Sequence, residues 1–306
     1  MAQTMKPLEF DIPATREFFS GYLIDHFLYK QYTLFNALEK LPELKSKILD
    51  GLVEINEAEY AKTLRLEIRA TYFQAIETLF ELIFSLEPRS NVIDNRQVWY
   101  FLSTSRWREN YKRIESIAAS DTAFLDQEIN ANENLKVPFI QYLFYFGVTN
   151  PSMQDAVRRS LNPIKKFLIE FAKEFSDRDE YNAFKHSLRI LPTLQKVEFG
   201  TSESEKPVMA LDMSNSMTYL VEEGESISFR TKPLDTLRDM RMGLVCSYLI
   251  SNIVRSRRVH FTKKPEGHLH TFSDETFPSA NARNVNWTNF RLTIKPIYDT
   301  PTDSSK

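Results

Sequence analysis

Several residue types that shape other folds are scarce in this sequence. A single cysteine, Cys246, lies in an apolar run, so the chain can form no internal disulfide and this residue is expected in the core. The 7 glycines among 306 residues are few for an architecture of many tight turns. The most apolar stretch, 137–148, is too short to span a bilayer and contains Gln141. These scarcities predict an α-rich protein of the reducing cytoplasm that does not enter a membrane.

A strong charge of either sign is also missing. The chain has 39 lysines and arginines against 41 aspartates and glutamates, so no overall field draws it to nucleic acid. Any such binding must come from a local patch. The sequence shows no cofactor motif and no glycine loop for phosphate, and the neighbouring pair His268 and His270 is too small a set for a metal site. We therefore expect neither a cofactor nor a bound metal.

Aromatic residues are abundant, with 23 phenylalanines and 13 tyrosines, and apolar residues recur three and four positions apart. This period predicts helices over 13–38, 43–54, 57–86, 94–119, 150–175, 179–191 and 234–254. Pro163 predicts a kink or a break in the helix over 150–175. The run 137–146 fits a buried helix or a buried strand, because periodicity cannot distinguish them.

Beyond Pro192 the pattern changes to that of short strands. Strands are predicted over 194–199, 208–213, 217–221 and 226–230, as an antiparallel meander, and 290–297 alternates like a further strand. The predicted fold is mainly α, a multi-helix bundle with a small antiparallel β meander and a packing helix on its C-terminal side, α+β overall. Its predicted divisions are a helical bundle over 1–192, the meander and helix over 193–262, and an extended, partly disordered tail over 263–306.

The stretch 177–191, DRDEYNAFKHSLRIL, holds residues suited to chemistry. In a helix over 179–191, Asn182 and His186 lie four positions apart and share one face with Arg189. Histidine accepts a proton near neutral pH, so His186 is a candidate to deprotonate a ribose hydroxyl in metal-independent RNA cleavage. The cations that would offset charge on the phosphate are Lys185, Arg178 and Arg189. A structural role is the alternative, in which Asn182 and His186 lock this helix against its neighbours.

Through these residues the sequence resembles the HEPN superfamily of helical-bundle RNases and nucleic-acid binders, common in toxin and phage-defence systems. Its members typically carry an arginine, then a polar residue that is often asparagine, then a histidine one helical turn later. YNAFKH has the polar residue as Asn182 and the histidine as His186, but Tyr181 takes the usual position of the arginine, and Arg178 lies one turn earlier. The resemblance covers the helical part up to Leu191 and implies a dimer in which two such helices form a composite site.

A second candidate interface is the predicted helix over 94–119, in which cations alternate with aromatic residues. The cations are Arg96, Arg106, Arg108, Lys112 and Arg113, and the aromatic residues are Trp99, Tyr100, Trp107 and Tyr111. Rings stack on the bases of single-stranded nucleic acid while cations meet its phosphates, so this pattern predicts RNA binding. A surface helix whose aromatic residues point into the core has the same pattern.

Two further groups of charges leave alternatives open. The run 255–264, RSRRVHFTKK, suits contacts with phosphates, or a solvated helix end whose cations complement the helix dipole. Within the helix over 57–86, Arg69 and Glu77 either form internal salt bridges or face the helix that carries His186.

Two functions from different classes follow from these observations. The first is a HEPN-like effector directed at nucleic acid, with metal-independent RNA cleavage in a toxin or phage-defence setting. The second is a noncatalytic helical scaffold or subunit that acts through protein–protein contacts. RNA is the partner under the first, a homodimer or another protein fits either, and a membrane fits neither.

Overall fold

A computed structural model describes residues 11–43, 56–87, 98–132, 135–148, 150–185, 190–191, 196–199, 209–224, 226–264, 267–285 and 290–294. Its helices are α1 (Asp11–Gly21), α2 (His26–Glu39), α3 (Glu57–Ser85), α4 (Val98–Ser103), α5 (Trp107–Ala118), α6 (Phe139–Phe144), α7 (Pro151–Phe175), α8 (Arg178–Lys185), α9 (Thr236–Thr262) and α10 (Thr276–Asn281). Its strands are β1 (Glu128–Asn132), β2 (Leu135–Pro138), β3 (Ile190–Leu191), β4 (Lys196–Phe199), β5 (Met209–Asp212), β6 (Ser216–Glu223), β7 (Ser226–Pro233) and β8 (Phe290–Ile294). The mainly α, α+β fold class is confirmed. No helix among these residues combines the length and apolar character needed to cross a membrane.

The longest predicted helices are confirmed with small changes at their ends. α3 covers nearly all of 57–86, and α7 begins where the side chain of Asn150 accepts a hydrogen bond from the N–H of Ser152 at 3.0 Å. Pro163 lies inside α7 without ending it. Buried residues on both sides of it, such as Val157 and Phe167, hold the two halves in one core, so the predicted break is wrong.

Other predicted helices are divided. Residues 22–25 separate α1 from α2, and residues 104–106 separate α4 from α5. The run 137–146 divides at Pro138, where β2 ends and α6 begins. The predicted tail contains α10, which was not predicted, and β8, which confirms the strand predicted over 290–297 as far as Ile294. The helix predicted over 43–54 lies outside the described residues except at its first position.

The chain forms two compact units, each built from three separate segments. The first comprises Met1–Thr33, Thr71–Asp177 and Leu237–Ala282, and the second comprises Leu34–Ala70, Arg178–Thr236 and Arg283–Lys306. The consecutive divisions predicted from the sequence do not coincide with these units, because α3 contributes residues to both and α9 returns to the first.

The core of the first unit is rich in aromatic side chains. Tyr72, Phe80, Phe167 and Phe171 are almost completely buried, and Tyr72 meets Phe171 edge to face with 6.0 Å between ring centroids. Cys246 of α9 is fully buried as predicted, and burial raises the pKa of its thiol. It is therefore a packing residue and not a nucleophile.

A close approach of side chain to backbone occurs at Gly243 of α9. A Cβ added there would lie 1.8 Å from Nε2 of Gln31 in α2. The side chain of Gln31 is buried, and its amide makes no hydrogen bond with the described residues. Gly243 therefore provides the space that the Gln31 amide occupies.

Arg257 of the basic run is completely buried at the end of α6. Its guanidinium donates hydrogen bonds to the main-chain oxygens of Leu143, at 2.9 Å, and Tyr142, at 3.4 Å. Its charged carbon lies 5.2 Å from the ring centroids of both Tyr142 and Phe146. Burial lowers the pKa of this guanidinium, which nonetheless remains charged at neutral pH.

Arg258, the next residue, performs the same task at the end of α1. It donates from Nε to the main-chain oxygen of Phe19 at 2.8 Å and from Nη2 to that of Tyr22 at 2.5 Å. The last carbonyls of a helix lack intrahelical partners and attract cations. Phosphate contact and a solvated helix end are therefore both wrong as explanations of Arg257 and Arg258.

The second unit contains an antiparallel sheet in the strand order β3-β6-β7-β8. Among the described residues β4 and β5 pair with each other and not with the four-stranded sheet, so the prediction of a single meander is wrong in its grouping. Alternate residues of β6, namely Met217, Tyr219 and Val221, point to one face and form a core with Leu66 of α3 and Ala183 of α8. This core positions α8 on the sheet.

Replacing Arg257 with alanine is expected to lower the free energy of unfolding by about 3 kcal/mol or more, because the change leaves buried carbonyls unsatisfied and a cavity behind. Urea denaturation followed by circular dichroism measures the loss. Arg159→Ala, at an exposed position of α7, is the control and should stay within about 0.5 kcal/mol of wild type. An equally small change in Arg257→Ala would contradict the role assigned to the guanidinium.

Candidate nucleic-acid interface

The predicted catalytic stretch begins as a helix but ends as a strand. α8 spans Arg178–Lys185, whereas Ile190 and Leu191 pair with Tyr219 and Thr218 of β6. A β-branched residue such as Ile190 suits a pleated, half-buried surface, so the helix predicted to reach Leu191 is wrong at its end. Outside the described residues lie His186, Arg189 and the side chain of Arg178.

Asn182 and Lys185 are the predicted site residues in α8 whose side chains the structure describes. Asn182 is half-buried, between the buried Tyr181 and Ala183. Lys185 is exposed, and its Nζ lies 4.4 Å from the ring centroid of Tyr181 in a cation–π contact. The structure thus places Asn182 and Lys185 on one short helix, while their relation to His186 stays a prediction.

Two carboxylates, Asp179 and Glu180, hold α8 on the sheet. The buried Glu180 accepts hydrogen bonds from Nε of Arg69 in α3 at 2.9 Å and from Nζ of Lys232 in β7 at 2.8 Å. Asp179 accepts one from Nη1 of Arg230 in β7 at 3.0 Å. Arg69 therefore forms the predicted internal salt bridge, with a partner on α8, while a role toward His186 stays a prediction because His186 lies outside the described residues.

The cations of the second candidate interface fall into two pairs. Arg106 and Arg113 are held by carboxylates, Arg106 by Glu109 at 3.2 Å and Arg113 by Glu87 at 2.6 Å. The guanidinium carbon of Arg113 also lies 3.9 Å from the ring centroid of Phe84. The pair of Arg113 and Glu87 is half-buried beside the α4–α5 turn, whereas the side chains of Arg106 and Glu109 are 78% and 67% exposed. Arg96 lies outside the described residues.

Arg108 and Lys112 form the other pair, exposed and four positions apart on one side of α5. Neither makes an ion pair with the part of the chain that the structure describes. Trp107, 51% exposed, adjoins Arg108, and Tyr100 of α4 is 38% exposed. We call Tyr100, Trp107, Arg108 and Lys112 the α5 face.

The other two aromatic residues of this segment are half-buried. The hydroxyl of Tyr111 donates a hydrogen bond to the main-chain oxygen of Ser176 at 2.8 Å, and Trp99 packs edge to face on Tyr100 with 6.2 Å between ring centroids. Trp99 and Tyr111 therefore point partly into the protein, whereas Tyr100 and Trp107 are exposed, and RNA binding by the exposed rings stays a prediction.

A cleft of about 240 Å³ opens between the end of α3, α4 and the start of α5. Its walls include Phe101, Ser105, Arg106, Glu109, Asn110 and Arg113. Nδ2 of Asn110 donates a hydrogen bond to Oγ of Ser105 at 2.7 Å. The cleft thus combines rings, charges of both signs and uncharged polar groups, and Arg106 connects it along the chain to Trp107 of the α5 face.

The described residues contain no group of three or more histidine, cysteine, aspartate or glutamate side chains placed to hold a metal. The ring of His270 instead stacks on Tyr248, with 3.8 Å between centroids. The main-chain N–H of His270 donates to Oδ1 of Asn252 at 2.8 Å, and its oxygen accepts from Nδ2 at 2.7 Å. Burial, with the nearby Arg255, lowers the pKa of His270, so it is neutral and structural at neutral pH.

The structure adds residues that the sequence reasoning missed. Asp179 and Glu180 lie inside the predicted stretch, where the predicted roles belong to its cations, Asn182 and His186. The sequence of β7 did carry a signal for this contact. Arg230 and Lys232 lie two positions apart and so share one face of a strand, and the helix opposite that face begins with acidic residues. Ser105 and Asn110 of the cleft carried no signal in the sequence.

Comparisons of the chain with protein-family models, with curated proteins and with solved structures give no match. The resemblance to the HEPN superfamily therefore stays a prediction from Asn182 and His186.

Glu180→Gln is expected to lower the free energy of unfolding by about 3 kcal/mol, because Arg69 and Lys232 lose the carboxylate that they share in a mostly buried position. The midpoint of urea denaturation measures this effect. Asp155→Asn is the matched control, since it removes a carboxylate from an exposed pair with Arg158, and it should leave the midpoint unchanged. Equal midpoints for the two variants would contradict a buried anchor at Glu180.

Proposed function

We propose that the protein binds single-stranded RNA through the α5 face. The observation that supports this most is that two cations, Arg108 and Lys112, and two rings, Trp107 and Tyr100, are all exposed within the neighbouring helices α4 and α5. Single-stranded nucleic acid needs such a combination, because its phosphates attract cations while its unpaired bases stack on aromatic rings.

The geometry of α5 suits a single strand of RNA that runs along the helix. Arg108 and Lys112 are one turn apart, which is about 6 Å along the axis, so each can contact a different phosphate. Trp107 presents half of its surface to solvent beside them. Stacking of one base on such a ring contributes about 1–3 kcal/mol and tolerates any base.

Other arginines already have protein partners. Arg257 and Arg258 bind helix carbonyls, and Arg238 binds Glu170 at 3.2 Å as well as Glu174 and Asn281. A cation that is buried and hydrogen-bonded to protein is unavailable to a phosphate. The run 255–264 also ends in two exposed lysines, Lys263 and Lys264, so what distinguishes the α5 face is that its exposed cations occur together with exposed rings.

The double variant Arg108→Ala/Lys112→Ala is expected to weaken binding to a fluorescent uridine oligomer of about twelve nucleotides. A plot of the logarithm of the association constant against the logarithm of salt concentration has a negative slope. In the variant this slope should be about 1.4 less negative, because two phosphate contacts are lost. Fluorescence anisotropy over a salt series measures both quantities.

The matched control removes two exposed cations from α7, in Arg159→Ala/Lys173→Ala. This variant has the same net charge as the test variant, so it shows the effect of charge without the effect of position. Equal losses in the two variants would contradict the α5 face, and a wild type that does not bind the oligomer at low salt would contradict RNA binding altogether.

We also propose, on the resemblance to the HEPN superfamily, that bound RNA is cleaved without a metal in a toxin or phage-defence setting. His186 would take the proton from a ribose hydroxyl, Asn182 would orient it, and Arg178, Lys185 or Arg189 would stabilise charge on the phosphate. The support for this step is the resemblance and the placement of Asn182 and Lys185 on α8.

Incubation with total RNA in the presence of a chelator tests the cleavage step. Wild type is expected to cleave and His186→Ala to lose the activity, because the variant has no side chain at that position to accept the proton. His26→Ala, at an exposed position of α2, controls for the loss of a histidine and should cleave normally. Intact RNA with wild type at high protein concentration would contradict catalysis while leaving RNA binding to its own test.

A noncatalytic scaffold is the second candidate. The observation in its favour is a group of exposed apolar residues at the start of the first unit, Leu23, Tyr29 and Tyr32, which are 61%, 58% and 65% exposed. Exposed apolar groups of this kind occur at protein–protein interfaces. RNA binding that depends on Arg108 and Lys112 would count against this candidate.

A further inference from the structure

The cleft between α3, α4 and α5 has hydrogen-bonding groups that its own residues leave unused. Asn110 uses Nδ2 to bind Ser105, while its Oδ1 accepts no hydrogen bond from the described residues. Arg106 uses one terminal nitrogen to bind Glu109, and its other N–H groups have no partner within the same part of the chain. The cleft therefore offers free acceptors and free donors side by side.

The cleft also has flat groups suited to an aromatic ligand. Phe101 lines it, and the guanidinium carbon of Arg113 lies over the ring of Phe84, 3.9 Å from its centroid. Glu87 holds Arg113 in this position. Nucleobases stack on phenylalanine rings and on guanidinium planes, so the walls suit a base that has left its stack.

From this chemistry we propose that the cleft binds a guanine base of the single-stranded RNA, an inference that depends on the proposed RNA binding. The pairing edge of guanine presents two adjacent donors, N1–H and N2–H, beside the acceptor O6. A carboxylate such as Glu109 accepts from both donors. Arg106, 3.2 Å from Glu109, is placed to donate to O6 or N7, the contact by which arginine most often reads guanine.

The other bases fit this arrangement less well. Adenine and cytosine present one donor next to a ring acceptor, and uracil presents one donor between two acceptors, so each leaves a carboxylate oxygen of Glu109 facing an acceptor. An unpaired or mismatched polar group is costly, which is how a site with fixed donors and acceptors discriminates among ligands. Because Arg106 directly precedes Trp107, an RNA strand on the α5 face can place one base in the cleft and stack the next base on Trp107.

The test compares uridine oligomers of about twelve nucleotides that carry one central guanine, adenine or cytosine with the plain uridine oligomer, by fluorescence anisotropy. Wild type should bind the guanine oligomer about fivefold more tightly or better, the lower end for a bidentate base contact. Glu109→Gln should reduce this preference to about twofold or less while binding the uridine oligomer at least as well. The side chain of Glu109 is 67% exposed, so the variant keeps the fold.

Glu115→Gln is the matched control, because it removes the same charge from an exposed position of α5 outside the cleft and should keep the guanine preference. Equal binding of all four oligomers by wild type, a preference for another base, or a guanine preference that survives in Glu109→Gln would each overturn the guanine site while leaving the α5 face in place. Failure of wild type to bind even the uridine oligomer would overturn the α5 face and the guanine site together.

Discussion

The first unit depends on guanidinium groups that complete the ends of helices. Arg257 and Arg258, adjacent in α9, bind the carbonyls that α6 and α1 leave open at their C-termini. Each carbonyl would otherwise be buried without a donor, and the helix dipole concentrates negative charge at that place. One turn of α9 thus binds carbonyls at the ends of two other helices. Arg255, in the same turn, adds an ion pair with Asp25 at 3.4 Å.

The second unit uses charge in a related way, with carboxylates in place of carbonyls. Glu180 and Asp179 of α8 bind cations from α3 and β7, so the helix is held by its acidic first turn. Of the predicted cations with described side chains, Lys185, Arg106, Arg108 and Lys112 are exposed, and the last three lie in the segment that carries the exposed rings Tyr100 and Trp107. The distinction between cations that hold the fold and cations that face solvent is therefore the main guide to function in this chain.

The sequence predicted the fold class and the long helices because a broad apolar face with a period near four persists over many residues in α3, α7 and α9. It also predicted that Arg108 and Lys112 would stand among aromatic residues. It could not predict the partners of Arg258, which lie 239 and 236 positions away, nor that Ile190 would leave the helix to pair with Tyr219. Such outcomes depend on which distant groups need a partner, and spacing within one segment carries no information about them. The cleft could not be predicted either, because its walls come from the separate elements α3, α4 and α5.

Gly243 and Gln31 illustrate a different kind of dependence. A helix interior normally disfavours glycine by about 1 kcal/mol relative to alanine, and a buried amide without hydrogen bonds costs about 1–3 kcal/mol. Each residue is unfavourable alone, yet each makes the other possible, because the amide occupies the space that a Cβ would take. Their energies are therefore coupled: a larger residue at 243 is harmful while Gln31 is present and becomes acceptable once that side chain is shortened. Homologous chains should change these two positions together or not at all.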